Sequence, residues 1–272
     1  MRIKSICANT FAEINNGGQG VVNKNAVYKT IGIIGGMGPA ATVDLMAKII
    51  GMTEADGDQD HIPVVVDSNT RIPDRTAAIL HDGEDPRPEL LKSAKRLESI
   101  GADFLIMACN TVHYYIEDIR NEVTIPVMDM IGETADLLVR RGIRKAAVLA
   151  TDGTCRSGIY ESVLSDRGIE TLYPEPAQQK LVMSLVYDYI KKNIISAEEL
   201  PRDEIVSITD DLRSRGAEVL ILACTELPIA FAAMGIETDC IDPTQVLAAA
   251  AVIKAGGTLK EDLGWFDGSY HY

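Results

Sequence analysis

Short apolar runs recur along the chain, each closed by small or turn-forming residues and followed by apolar side chains at three- and four-residue steps. TIGIIGG, IPVVVDSN, DFLIMAC, IPVMDM, KAAVLAT, IETLYP, EVLILAC and DCIDP read as strands; ATVDLMAKIIGMT and PELLKSAKRLESI read as helices between them. Alternation of strand and helix predicts parallel sheets joined by right-handed crossovers, an α/β fold.

The pattern also repeats. GADFLIMACNTVHYY ends an apolar run on Cys109, and GAEVLILACTELPIA ends an equivalent run on Cys224. The interval between those cysteines also separates Gly35, closing TIGIIGG, from Ala150, closing KAAVLA, so the repeated unit is a folding unit and not one duplicated peptide. We expect two pseudosymmetric flavodoxin-like domains with parallel sheets and an active site in the cleft between them. Ligands bind outside the carboxyl ends of strands in such sheets, which would bring Cys109 and Cys224 to one cleft from opposite sides. The expected layout is a polar arm over residues 1–26, a first domain over 27–122 plus 238–272, and a second over 123–237.

Charge and composition narrow the partners. The 272 residues carry a net charge of −14 with no basic cluster, which argues against nucleic acid or an anionic membrane surface. No apolar run approaches the roughly 18–20 residues that span a bilayer, and SICANTFAEI near the start is too polar for a signal-peptide core, so a cytoplasmic protein is expected. Five cysteines without CxxC or Cys/His spacing predict neither a disulfide framework nor a zinc site.

Thiols near helix starts or cations lose their protons more readily and become usable bases. Two of them flanking one carbon could invert its configuration without a cofactor, the thiolate removing a proton while the thiol delivers one to the opposite face. Gly36-Met37-Gly38-Pro39-Ala40-Ala41 fits the dinucleotide fingerprint GxGxxA, with Asp67 as the ribose acceptor, although the acid lies farther along than the usual spacing of about 20 residues. The alternative use of this loop is close backbone approach beside a carboxylate. SNTRIPDRT offers Ser68, Asn69, Arg71 and Arg75, an arginine fork being suited to a carboxylate. His113 is expected to be structural, and Lys191 and Lys192 by themselves read as a solvated helix end.

IGIIGGMGPAAT, SNTRIPDRT, ACNTVH, TDGTCRSGIY and ACTELP together resemble the aspartate/glutamate racemase family, and most closely its cofactor-independent aspartate racemase branch. The resemblance spans roughly Thr30 to Leu247. It implies Cys109 and Cys224 as the acid/base pair acting on an acidic amino acid, with no cofactor or metal, in a homodimer. It also implies that Asn69, Asn110, Thr111 and Thr225 hold the amino and carboxylate groups. Arg75 and Lys191 would meet the side-chain carboxylate, and Gly38 and Thr154 would stand beside the site. Ala108 replaces a proline frequent before the first cysteine, and Ala223 a glycine frequent before the second; both stay small. The rivals are hydantoin racemisation, cis-trans isomerisation of a dicarboxylate, a dinucleotide-dependent oxidoreductase, and a non-catalytic binder of acidic metabolites.

Overall fold

The computed structural model describes residues 27–192, 194 and 196–260, so the expected N-terminal arm and the last residues lie outside it. In chain order the elements are β1 (Ile31–Gly35), α1 (Pro39–Met52), β2 (Val64–Ser68), α2 (Arg75–Leu80), α3 (Arg87–Ser99), β3 (Phe104–Met107), α4 (Ile116–Glu122), α5 (Met130–Arg140) and β4 (Lys145–Ala150). There follow α6 (Asp152–Ser157), α7 (Ile159–Ser165), β5 (Glu170–Leu172), α8 (Pro176–Ser184), α9 (Arg202–Ser214), β6 (Val219–Ala223), α10 (Leu227–Ala233), β7 (Cys240–Ile241) and α11 (Pro243–Ala255).

These strands form two parallel sheets, ordered β2-β1-β3 and β5-β4-β6-β7. β1 and β6 are buried throughout because helices cover both faces, which is why their sequences are continuous apolar runs. Side chains alternate across each sheet: Phe104 and Ile106 pack in one cluster and Leu105, Met107 and Cys109 in the other. Leu220, Leu222 and Cys224 share a face in the same way.

IPVMDM does not become a full strand. Val127 makes one parallel bridge to Leu105, held by Leu105 N–H to Pro126 O (2.8 Å) and Met128 N–H to Leu105 O (2.9 Å). Pro126 has no N–H to extend the ladder, and Asp129 already caps α5 by accepting from Ile131 N–H (3.0 Å). This bridge places Val127 beside the first sheet, while β7 joins the second. By strand pairing, the chain leaves the first sheet after Met128 and the second after Ile241.

The return of α11 to the first sheet is fixed by an internal ion cluster. α1 buries both its charged residues, Asp44 and Lys48, and exposes Val43, Met46 and Ile50. Lys48 Nζ reaches Asp242 Oδ2 (2.5 Å), Thr244 Oγ1 (2.7 Å) and Asp44. Burial alone would lower the Lys48 pKa, but the two carboxylates outweigh it and raise it. Gly36, at φ +89°, is the one residue type that fits between β1 and the Asn69 backbone, since a Cβ there would lie 2.4 Å from the Asn69 carbonyl carbon.

Candidate active site

Cys109 lies two residues beyond β3 and Cys224 directly follows β6; both are buried, and both line the same small cavity between the sheets. The first half contributes Met37, Asp74, Arg75, Thr76, Asn110 and Thr111; the second contributes Thr151, Tyr187, Lys191, Thr225 and Glu226. About 10 Å³ is free, room for about one water, so a substrate enters only as the facing side chains part.

The wall around Cys109 is cationic. Arg75 begins α2, whose N-cap Asp74 accepts from Ala77 N–H (2.8 Å). Its guanidinium donates to Pro73 O (3.1 Å) and Met37 O (3.2 Å), while Nε is buried without a partner. Burial works against the Arg75 charge, but its neighbours Cys109 and Asp74 hold its pKa up. Asp74 also accepts from Tyr187 OH (3.0 Å) and lies 3.8 Å from Lys191 Nζ, which sits over the Tyr187 ring (3.9 Å). Burial raises the Asp74 pKa less than Ala77 N–H and the Lys191 and Arg75 charges lower it. These contacts join the two halves across the cleft. Tyr187 stands on a π-helical turn over Leu185–Tyr189, a distortion common at functional sites.

Asn110 is oriented from the other half. Tyr160 OH donates to Asn110 Oδ1 (2.6 Å), leaving the buried Nδ2 without a partner. Burial raises the Tyr160 pKa well above its usual value, so the phenol remains a donor. Thr111 Oγ1 shares hydrogen bonds with Thr151 (3.0 Å) and Thr154 (2.8 Å), placing Thr154 behind the wall and not on it.

Asn69 and Gly38, like Thr154, do not line the cavity. Asn69 is turned away: its Nδ2 donates to Glu89 Oε2 (2.9 Å) and Ser93 Oγ (3.1 Å), and its Oδ1 accepts from Arg71 N–H (3.1 Å). The tight turn after β2 directs the amide towards α3. Gly38 does not line the cavity, but a Cβ there would stand 3.5 Å from Glu226 Oε1. Asp67, the ribose acceptor of the dinucleotide alternative, accepts two 2.8 Å bonds from Arg96 Nη1.

His113 has the structural role expected. Its Nδ1 bonds Cys109 O (2.9 Å), and its Nε2 accepts from Met130 N–H (3.1 Å), which makes Nδ1 the protonated nitrogen. Burial lowers its pKa despite Asp129, keeping the ring neutral.

Cys224 departs from expectation in its ionisation. Its Sγ donates to Glu226 Oε2 (3.1 Å), which also accepts from Thr225 Oγ1 (2.9 Å). Burial and then the Glu226 charge push the Cys224 pKa well up, and Lys191 only partly offsets them. The carboxylate two residues on outweighs the helix start that follows the thiol. Glu226, Tyr187, Tyr160 and Asp74 all belong to the site although none was selected from sequence. Asp74 and Glu226 lie inside quoted motifs, and Tyr187 precedes Lys191 by one helical turn.

A family model described as Asp/Glu/Hydantoin racemase matches residues 34–251. The solved aspartate racemase of Picrophilus torridus is 37% identical, with a TM-score of 0.76 over 85% of this chain and 96% of that one. The broad specificity amino-acid racemase RacX of Bacillus subtilis is 27% identical over 82% of this chain and 96% of its own length. A glutamate racemase from Persephonella marina is 35% identical over 51% of this chain and 52% of its own.

Proposed function

This chain belongs to the Asp/Glu/hydantoin racemase family and is an amino-acid racemase, and from that premise we propose that it interconverts L- and D-aspartate by two-thiol acid/base chemistry. The observation that carries the proposal is the pair of cysteines, placed just beyond equivalent strands and lining one cavity. Cys109, as thiolate with Arg75 as counter-ion, removes the Cα proton; Cys224, as thiol, supplies one to the opposite face. The roles exchange for the other enantiomer. The unpartnered Asn110 Nδ2 and the Thr111 and Thr225 hydroxyls are suited to the α-carboxylate and amino groups. Arg75 and Lys191 supply positive charge for a second carboxylate, which favours a dicarboxylic amino acid over a hydantoin. Donors held around the cleft stabilise the carbanionic charge that develops at Cα.

Glutamate, one methylene longer, is the competing substrate, since a methylene is worth only about 1–3 kcal/mol of discrimination. Proton NMR of Cα solvent-deuterium exchange with L-aspartate and L-glutamate ranks the two. Exchange should be accompanied by the D-enantiomer, and Cys109→Ala and Cys224→Ala should each abolish inversion. Either variant racemising at the parent rate would remove the two-thiol mechanism.

A further inference from the structure

We infer that Glu226 is the proton partner of Cys224, accepting the thiol's hydrogen bond when Cys224 acts as acid and receiving its proton when Cys224 must act as base. The inference rests on the two-thiol reading and extends it to a group that the cysteine pair leaves out. Glu226 is 5% exposed, and its Oε2 is within hydrogen-bond reach of the Cys224 sulfur. No intervening side chain is needed for transfer.

The two thiols stand in opposite electrostatic settings, with a guanidinium beside Cys109 and a carboxylate beside Cys224. At rest the carboxylate favours thiol at Cys224. An enantiomer whose Cα–H faces Cys109 finds the acid on its opposite side prepared. Its mirror image requires thiolate at Cys224 and thiol at Cys109.

Glu226 supplies the missing form. The Cys224 S–H bond breaks, an O–H bond forms on Glu226 Oε2, and the negative charge passes from carboxylate to sulfur; the Cys109 thiolate takes a proton from solvent water. Cys224 then removes the Cα proton and Cys109 donates its own to the opposite face. Release of the Glu226 proton to solvent restores the resting state, so protons and charge balance over the cycle. Lys191, whose charge is favoured first by Glu226 and then by Tyr187 and Cys224, faces the same pair and tolerates the charge on either partner.

The test follows the ultraviolet absorbance of the Cys224 thiolate against pH in Cys109→Ala protein, taking Cys109→Ala/Cys224→Ala as the blank. Adding Glu226→Gln should move the thiolate midpoint down, with at least tenfold more thiolate at neutral pH, whereas Glu226→Asp should leave it near the parent position. With both cysteines present, Glu226→Gln should lower kcat tenfold or more and Glu226→Asp should recover part of it. An unmoved midpoint overturns the inference. So does a moved midpoint with undiminished kcat for both enantiomers, since Glu226 would then be a fixed charge and not a proton acceptor. The titration needs no turnover, so it is separate from the exchange experiment that tests racemisation.

Discussion

Tyr160→Phe removes a single oxygen, and the structure indicates where its effect should appear. That hydroxyl has one proton, directed at Asn110 Oδ1 over 2.6 Å, and so determines which end of the amide faces the cleft. Both side chains are fully or nearly fully buried, at 0% and 2% exposure, so no solvent replaces the lost donor. An unsatisfied buried acceptor costs about 1–3 kcal/mol. The amide can avoid that cost by rotating, but rotation presents oxygen in place of NH₂ to a substrate carboxylate. Either outcome weakens transition-state binding, and about 1–3 kcal/mol corresponds to roughly 5- to 150-fold in kcat/KM. Initial rates from L- and D-aspartate, followed by polarimetry, provide an internal check. Free enantiomers are equal in energy, so kcat/KM must fall equally in both directions. Tm should fall by about 2–4 °C for each kcal/mol of lost stability. In an Asn110→Ala background the change should become nearly neutral, as expected of a directly coupled pair. A kcat/KM within twofold of the parent value, together with a lowered Tm, would refute the orienting role.

Lys48→Met leaves Asp44 and Asp242 facing each other without their cation, so calorimetry should show a loss of about 3–5 kcal/mol; an unchanged Tm would mean that the cluster does not seat α11. The folded Lys48 pKa is raised, so its stabilisation is complete below the unfolded value of about 10.4 and fades as pH rises through the higher folded value; that alkaline decline in Tm should be missing from the variant. Gly153→Ala would place a Cβ 2.7 Å from Thr76 Oγ1 and 3.0 Å from Thr111 Cγ2, forcing α6 away from the first half, and kcat/KM should fall at least tenfold; parent activity would show that this contact is dispensable. Burial and then Asp152 push Cys155 up to about 12, so mass spectrometry after iodoacetamide at pH 8 should find it unmodified, and rapid alkylation would contradict that environment.

The backbone plan was readable because fully buried parallel strands announce themselves as unbroken apolar runs, and because the two cysteines end such runs in matching registers. IPVMDM reads as a strand but makes one bridge, because hydropathy does not register that Pro126 lacks a donor or that Asp129 is needed as a cap. Tyr160 could not be selected from sequence, since its role depends on Asn110 fifty positions earlier in the chain. Glu226 was visible two residues from Cys224, yet only the turn entering α10 shows that its carboxylate folds back onto the sulfur. Asn69 illustrates the reverse case, a residue of suitable chemistry in a suitable loop whose amide is already bound to α3.

The seating of α11 also sets an order of events during synthesis. The second sheet is built from one continuous stretch, β4 to β7, whereas the first keeps Ile31, Ile33, Leu45, Ile49, Phe104 and Ile106 without their cover until Leu247 to Val252 have been made. At about 5–20 residues per second, the half that leaves the ribosome first waits on the order of ten seconds for its last helix. The earlier strands spend that interval with an apolar face open to chaperones or to misassembly.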